Sequence, residues 1–297
     1  MKSEKTHSLQ RMQNRIGWSF IILPVALIVL FSFYPMIKAF ITSLQAGMGM
    51  NLEFVGLENY TRLFSDPVFI EAVKNTFIYL IIQVPVMIIL ALFIAVMLNN
   101  KNLRFKGLFR TAIFLPCVTS LVAYSVLFKS LFATEGLFNQ LLMSINLIEA
   151  PIMWLTDPFW AKVTIIIAIT WRWTGYNMIF YLAGLQNIDP SIYEAAELDG
   201  ASGFTRFFKI TAPLLKPIIL FTTILSTNGT LQLFDEVVNI TAGGPANATI
   251  TISQYIYNLC FKYTPDFGYA AAVSYVIVII VAILSFIQFK VGGDKNE

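Results

Sequence analysis

The sequence predicts an all-α polytopic membrane protein with six transmembrane helices. The chain has 297 residues, of which 57% are hydrophobic and only 12% are charged. A soluble domain carries about 25% charged residues, so this chain has too few charges to cover a water-exposed surface. It also contains six apolar segments of about 20 residues, the length that crosses a bilayer core of about 30 Å. Lipid must therefore cover much of the exterior.

The six apolar segments follow one another with more polar connections between them. They are 17–40, 76–98, 111–132, 162–185, 218–238 and 269–289. Pro85 and Pro116 lie inside two of them, and neighbouring helices of a membrane bundle can satisfy the backbone groups that a proline leaves unpaired. We expect one transmembrane domain over 17–290, with short tails at 1–16 and 291–297. The first segment is longer than the apolar part of a signal peptide and should remain in the mature protein.

Lysine and arginine in the short loops predict the sidedness. The loop after the second segment contains four bases and no acid: Lys101, Arg104, Lys106 and Arg110. The loop after the third segment contains three acids, which are Glu135, Glu149 and Asp157. We expect both termini and the loop at 186–217 to be cytoplasmic, in the inner membrane of a bacterial cell.

Several function classes are disfavoured by what the sequence lacks. His7 is its only histidine, and Cys117 and Cys260 form no metal-binding spacing. No Gly-Lys dipeptide is present, so the chain has no phosphate-binding loop of the GxxxxGK[ST] type and should not itself hydrolyse ATP. The net charge of +3 does not suggest nucleic acid. We expect no catalytic residue, no metal and no cofactor in this chain.

The loop at 186–217 carries the most specific motif. Pro190 should end the fourth segment, and Ser191 with Glu194 should form a capping box at the start of a short helix. Gly200 should end that helix, because glycine tolerates a left-handed conformation. A second helical stretch then leads into the fifth segment at Pro217. The pattern predicts a small helix–turn–helix at the cytoplasmic surface.

The motif resembles the EAA loop of binding-protein-dependent ABC importer permeases. The matching positions are Glu194, Ala195, Ala196, Asp199, Gly200, Ala201, Phe207, Ile210, Pro213, Leu215 and Pro217. The resemblance implies the fold of type I (maltose-type) importer permeases and an EAA helix that docks into a cleft of an ATPase subunit. Glu194 would offer a carboxylate to a basic group there, and Ala195 and Ala196 would permit close approach. From the residues alone, Glu194 could equally be a helix cap in a solvated connection.

A second stretch narrows the resemblance to permeases of carbohydrate importers. Residues 239–245 end in Gly-Gly-Pro, by itself only a turn signal, and look like the outer loop of these proteins, as 268–272 look like the start of their last span. The resemblance implies a sugar substrate, a second homologous permease, an extracytoplasmic sugar-binding protein and two ATPase subunits that bind ATP and Mg. The chain lacks the two extra N-terminal spans and the large periplasmic domain that maltose-type members can carry. It is more similar to six-span permeases of lactose, arabinose or raffinose type.

Polar and aromatic residues in the fourth and fifth segments predict where a sugar would pass. Arg172 lies about ten residues into its segment, near the bilayer midplane, where a charge costs about 3 kcal/mol and suggests a function. Sugar hydroxyl groups need hydrogen-bond partners, and sugar C–H faces pack on aromatic rings. The candidate residues are Arg172, Trp173, Tyr176, Ser226, Asn228, Thr230 and Gln232. The resemblance aligns Tyr176 with a sugar-contacting tyrosine of maltose-type permeases, and Ser226 and Thr230 with nearby polar contacts. Alternatively, these groups hold helices together.

Some alternatives remain open from the sequence. Asp235 and Glu236 are either interfacial charges, a contact to the binding protein, or partners of a base on another helix. The permease could serve a non-sugar solute such as glycerol phosphate. An ion-coupled secondary transporter would need internal repeats, and none is evident.

Overall fold

The computed structural model describes residues 16–47, 52–100 and 102–292. Most of the predicted tails at 1–16 and 291–297 (residues 1–15 and 293–297) and Lys101 of the predicted basic loop lie outside the described residues. The regular elements of the described chain are helices, apart from one antiparallel pair of two-residue strands in which Gln45 pairs with Phe54. The predicted all-α class is confirmed.

The described residues form the following elements in chain order. The helices are α1 Ile16–Ser43, α2 Glu58–Leu63, α3 Pro67–Asn99, α4 Lys106–Val118, α5 Leu121–Leu131, α6 Leu137–Ser144, α7 Pro158–Gln186, α8 Pro190–Leu198, α9 Gly203–Leu214, α10 Lys216–Leu231, α11 Asp235–Ile240, α12 Ile252–Tyr257 and α13 Phe267–Gly292. The strands β1 Gln45–Ala46 and β2 Glu53–Phe54 lie between α1 and α2. Single π-helical turns interrupt α1 at Val29–Phe33 and α9 at Phe207–Thr211, and a third, Asn258–Lys262, follows α12.

Three helices of the described chain, α1, α3 and α13, are each long and apolar enough to cross a bilayer unbroken. They coincide with the predicted spans at 17–40, 76–98 and 269–289. The predicted span at 162–185 lies on α7, whose 29 residues would extend about 43 Å at 1.5 Å per residue. Because its centre is polar, α7 is less apolar than α1, α3 and α13 and is not one of these three helices.

The other two predicted spans, at 111–132 and 218–238, are wrong as continuous helices. The first is the pair α4 and α5, bent by 99°. The Thr119 hydroxyl group donates to the carbonyl oxygen of Pro116 at 2.8 Å, which competes with helical hydrogen bonding there. In the second, helix α10 ends at Leu231 and helix α11 begins at Asp235. Between them, the carbonyl oxygen of Leu233 accepts a hydrogen bond from the Thr251 hydroxyl group at 2.6 Å.

The chain forms two compact units, and the larger one comprises Leu63–Asn258 and Val276–Glu297. Within it, α3 and α7 pack along each other and contribute to two apolar clusters. One cluster surrounds Trp154 and Tyr124, where α5, α7 and α11 meet. The other joins α3 and α7 to Leu215, the residue between α9 and α10. In the smaller unit, Met1–Arg62 and Leu259–Tyr275, Arg62 forms an ion pair with Asp266 at 2.8 Å.

Gly175 permits a close approach of α4 and α7 in the larger unit. A Cβ atom at this position of α7 would lie 2.0 Å from the carbonyl oxygen of Ile113 in α4. Only a residue without a side chain lets the two backbones meet this closely. The contact fixes α4 beside the middle of α7, close to the candidate site.

Candidate functional site

A cavity of about 370 Å³ lies between α3, α7 and α10, with α11 at one end. This volume is within the usual range of small-molecule sites. Its lining combines amides, hydroxyl groups, aromatic rings and two acids. The lining residues are Gln83, Met87, Leu121, Ile169, Trp173, Tyr176, Asn177, Leu225, Ser226, Gly229, Thr230, Gln232, Leu233, Phe234, Asp235 and Glu236.

The structure brings five of the seven predicted path residues to this cavity. They are Trp173, Tyr176, Ser226, Thr230 and Gln232. The other two, Arg172 and Asn228, are not part of the lining. The Asn228 Oδ1 accepts a hydrogen bond from Gln232 Nε2 at 2.6 Å, one helical turn away. Whether a sugar contacts any of the seven stays a prediction.

Hydrogen bonds connect the polar residues of the three helices. The Thr230 hydroxyl group donates to Gln83 Oε1 at 3.1 Å, joining α10 to α3. Ser226 Oγ lies 3.4 Å from Asn177 Oδ1 and joins α10 to α7. Gln83 and Asn177 were not predicted as path residues. Gln83 could have been noticed, because it is the only amide of its apolar segment.

Aromatic rings form part of the same wall. The rings of Trp173 and Tyr176 meet edge to face with centroids 5.8 Å apart. Tyr176 in turn contacts Phe180, with centroids 5.1 Å apart. Edge-to-face packing holds these rings in place. The cavity thus provides both hydrogen-bonding groups and fixed apolar ring surfaces.

Arg172 lies behind the wall and ties three elements together. It is 6% exposed, and its Nη2 donates to the carbonyl oxygen of Thr119 at 3.3 Å, where the α4–α5 pair breaks. Its guanidinium carbon is 5.0 Å from the ring centroid of Tyr124 in α5. Its Nε is 4.0 Å from Glu236 Oε1 in α11. The prediction that Arg172 directly faces the path is therefore not supported by its position.

Glu236 occupies the end of the cavity, at α11. It is 5% exposed, whereas the neighbouring Asp235 is exposed. Trp173 Nε1 donates to Glu236 Oε1 at 3.4 Å, alongside the contact from Arg172. Of the alternatives from the sequence, the structure shows Glu236 paired with a base on another helix.

The loop at 186–217 forms two short helices, as predicted, but the start of the first differs. The Asp189 carboxylate accepts a hydrogen bond from the backbone N–H of Ser191 at 2.9 Å and caps α8. This bond also lowers the pKa of Asp189. The predicted capping box of Ser191 and Glu194 is wrong, because Pro190 fits the first helical position and leaves Asp189 as the cap.

The end of α8 follows the prediction. Gly200 has a φ of +75°, in the left-handed region. The backbone N–H of Ala201 donates to the Ala196 carbonyl oxygen at 2.9 Å, and that of Gly200 to the Glu197 carbonyl oxygen at 3.0 Å. These bonds form a Schellman motif, so this part of the sequence has a structural purpose whatever else it does.

The two loop helices form one unit with an exposed apolar surface. Arg206 Nη1 of α9 lies 3.1 Å from Glu197 Oε2 of α8, and the Tyr193 and Thr211 hydroxyl groups lie 3.1 Å apart. Glu194 and Ala195 are exposed and Ala196 is buried. Five large apolar side chains of these helices are also exposed, and the three most exposed are Leu198 at 90%, Phe204 at 75% and Phe208 at 55%.

The loop unit leads directly into the cavity wall. Helix α9 turns through 70° into α10 at Leu215, which is only 1% exposed. Helix α10 then carries Ser226 and Thr230 to the cavity. A displacement of the loop helices would therefore reach the cavity through one continuous stretch of backbone.

Comparison with known proteins finds one matching family. The family described as "Binding-protein-dependent transport system inner membrane component" matches residues 67–291. The chain is 60% identical to the lactose transport system permease protein of Rhizobium radiobacter over 298 residues, which cover 100% of both chains. It is 35% identical to the arabinooligosaccharides transport system permease protein of Halalkalibacterium halodurans, over 89% of this chain and 84% of that protein. It is 32% identical to the trehalose/maltose transport system permease protein of Thermococcus litoralis over 100% of both.

A solved structure has the same fold. It is a chain of a bacterial ABC transporter involved in the import of the acidic polysaccharide alginate, with a TM-score of 0.84. The match covers 96% of this chain and 98% of that chain at 21% sequence identity. The likeness confirms the polytopic permease fold expected from the sequence.

Proposed function

Because this chain belongs to the family of binding-protein-dependent transport system inner membrane components, we propose that it forms one half of the translocation pathway of an ATP-driven sugar importer. The chain is a permease subunit of an ABC sugar importer, and it is a transport protein and not an enzyme. The relative named for lactose, at 60% identity, makes lactose the first sugar to test.

The cavity between α3, α7 and α10 is the observation that carries this proposal. It presents the Trp173 and Tyr176 rings beside the Asn177 amide and the Ser226 and Thr230 hydroxyl groups. Sugars offer both hydroxyl groups and apolar ring faces, and this lining can satisfy both. Burial of a sugar without such partners would leave its hydroxyl groups unpaired, at a cost of about 1–3 kcal/mol each.

The helices α8 and α9 form the surface that we assign to an ATPase subunit. Their exposed Leu198, Phe204 and Phe208 side chains would be costly to leave in water, and an exposed apolar patch is typical of a protein–protein interface. The exposed carboxylate of Glu194 lies on the same helix as Leu198 and would meet a basic group of that subunit. The partner ATPase, and not this chain, would bind ATP and Mg.

The complete importer would contain a second homologous permease, two ATPase subunits and an extracytoplasmic sugar-binding protein. The second permease would supply the remaining wall of the pathway. Both termini and the α8–α9 loop would face the cytoplasm, in agreement with the bases Arg104, Lys106 and Arg110 before the third span. The binding protein would deliver sugar, ATP would draw the two ATPase subunits together, and α9 would transmit this movement to α10. ATP hydrolysis would then reset the complex.

The experiment is ATP hydrolysis by the importer reconstituted in proteoliposomes, with and without binding protein and lactose. We expect hydrolysis to rise when both are present. In Glu194→Lys the stimulation should be lost, because the substitution reverses a charge on the proposed ATPase-facing surface. Glu149→Lys makes the same change at an exposed position of a different loop and should leave the stimulation intact.

Two results would contradict the proposal. Stimulation that persists in Glu194→Lys would remove this loop from the coupling pathway. Ion-driven sugar uptake by the chain alone, without ATP, would favour a secondary transporter instead.

A further inference from the structure

An acidic side chain forms the end wall of the cavity at α11. Glu236 lines the cavity together with Trp173 and Thr230, although it is only 5% exposed. A carboxylate is costly to bury in this way unless a partner offsets its charge. A buried carboxylate in the wall of a polar cavity is a candidate for ligand binding.

Arg172 of α7 pairs with this carboxylate but is not itself part of the cavity lining. Arg172 Nε lies 4.0 Å from Glu236 Oε1, and Trp173 Nε1 donates to the same oxygen at 3.4 Å. Both contacts involve Oε1, and we expect a ligand in the cavity to meet the other carboxylate oxygen. Within the described chain, Arg172 Nε and Nη1 have no hydrogen-bond partner, so the guanidinium group is held near Glu236 without a tight bidentate bond.

The charged groups that line the cavity are all negative. They are Asp235 and Glu236, and no lysine or arginine is present among the described residues of the lining. Charges interact strongly in the low dielectric of a membrane protein interior. Arg172 compensates Glu236 from behind, while an incoming ligand meets the carboxylate first. A negatively charged solute would therefore be repelled here.

We propose that Glu236 is a specificity-determining residue, which accepts hydrogen bonds from the hydroxyl groups of neutral saccharides and excludes saccharides that carry a negative charge. Arg172 is the positioning residue that keeps the carboxylate at the cavity wall. This inference rests on the proposed function, because it assigns the cavity to the transported sugar. It disfavours uronic-acid saccharides and glycerol phosphate as substrates.

The test compares one neutral and one acidic sugar of the same shape. The probes are lactose and lactose oxidised to a carboxylate at the galactose C6. Their binding to the purified complex of permeases and ATPases is measured by saturation-transfer NMR titration, without the binding protein, which would impose its own selectivity. We expect the wild-type complex to bind lactose at least about tenfold more tightly than the acid.

Glu236→Gln should change both affinities in opposite directions. Lactose should bind about tenfold more weakly, because a charge-assisted hydrogen bond becomes a neutral one. The acidic sugar should bind more tightly than in the wild type, because the positive charge of Arg172 is no longer masked. Glu236→Asp keeps the charge and should keep the preference for lactose. Glu149→Gln removes a charge from an exposed loop and should behave as the wild type.

A double variant keeps the inference testable if the Glu236→Gln protein does not assemble. Glu236→Gln leaves Arg172 buried without a counter-charge, whereas Arg172→Met with Glu236→Gln removes both charges, a change that proteins often tolerate. The double variant should bind both sugars weakly and with similar affinity. A wild-type preference for lactose in either variant would overturn the inference. A wild-type complex that binds neither sugar would instead overturn the proposed function.

Discussion

Arg172 illustrates how a charged residue can be kept buried at the middle of a long helix, α7, which we predict to cross the membrane. Its guanidinium group contacts three partners. They are the Thr119 carbonyl oxygen at the α4–α5 break, the buried Glu236 carboxylate and the face of the Tyr124 ring. A charge at the bilayer centre costs about 3 kcal/mol on insertion scales. These contacts offset that cost and fix the position of the cavity wall.

Gly175 provides a test of the packing beside this wall. In Gly175→Ala the new methyl group would lie 2.0 Å from the Ile113 carbonyl oxygen, so α4 and α7 must separate. We expect the free energy of unfolding to fall by about 1–3 kcal/mol. The measurement is equilibrium unfolding in mixed detergent micelles, followed by tryptophan fluorescence.

Gly229→Ala is the matched control on α10. No atom lies within 4 Å of a Cβ atom there, and alanine is favoured over glycine inside a helix by about 0.5–1 kcal/mol. It should therefore not destabilise the protein. Equal unfolding free energies of Gly175→Ala and the wild type would show that the contact is not tight.

At the residue scale, the sequence predicts local groupings better than distant partners. Trp173 and Tyr176 could be assigned to one wall because they are one turn apart on a single helix. Gln83 stands out in the sequence as a lone amide in an apolar run, but it could not be assigned to this wall, because its partner Thr230 is 147 positions away. The position of Arg172 depended on a helix break that its own segment does not reveal.

At the scale of elements, the pair α8 and α9 is a preformed structure and not a flexible connection. Asp189 caps its start, Gly200 closes the first helix, and Arg206 binds back to Glu197. Such local order lowers the entropy that would be lost when a partner binds. The geometry suits a part that must transmit force.

Gly200→Ala tests the importance of this order. A residue with a Cβ atom at a φ of +75° costs roughly 1–2 kcal/mol in the left-handed region. We expect amide hydrogen exchange in α8 to become roughly tenfold faster. Sugar-stimulated ATP hydrolysis by the reconstituted importer should fall with it.

Gly203→Ala is the control for that substitution, since Gly203 opens α9 and a Cβ atom there would meet no atom within 4 Å. Its exchange rates and stimulation should match the wild type. If Gly200→Ala also matched the wild type, the helix end would not contribute to coupling.

Element boundaries were less predictable than element existence. Hydropathy identified the apolar segments at 111–132 and 218–238 but gave no sign of the breaks inside them. At these breaks side chains donate hydrogen bonds to carbonyl groups: Thr119 to a near neighbour, and Thr251 to Leu233 in the connection between α10 and α11. An average over 20 residues cannot detect such single contacts.

At the scale of the whole molecule, sidedness decides which surface meets which partner. The proposed contact between the α8–α9 surface and an ATPase requires this surface to face the cytoplasm. The basic and acidic loops of the sequence predict that location. The number of spans that cross the bilayer likewise stays a prediction, with α1, α3 and α13 as its most apolar members.

Single cysteines provide the test of sidedness, in a chain whose Cys117 and Cys260 are replaced by serine. A membrane-impermeant maleimide added to intact spheroplasts should label Glu149→Cys. Arg104→Cys should be labelled only after the membrane is permeabilised. The opposite pattern would reverse the topology and place the α8–α9 loop outside the cell.

The 70° turn at Leu215 gives α9 and α10 the shape of a bell crank. The 12 residues of Gly203–Leu214 make an arm of about 18 Å, and Ser226 lies about 17 Å from Leu215 along the other arm, at 1.5 Å per residue. If the two helices rotated together about Leu215, the far end of α9 and Ser226 would move by similar distances, because the two arms have similar lengths. A push of a few ångströms at the far end of α9 would swing Ser226 by almost the same distance, neither amplified nor lost.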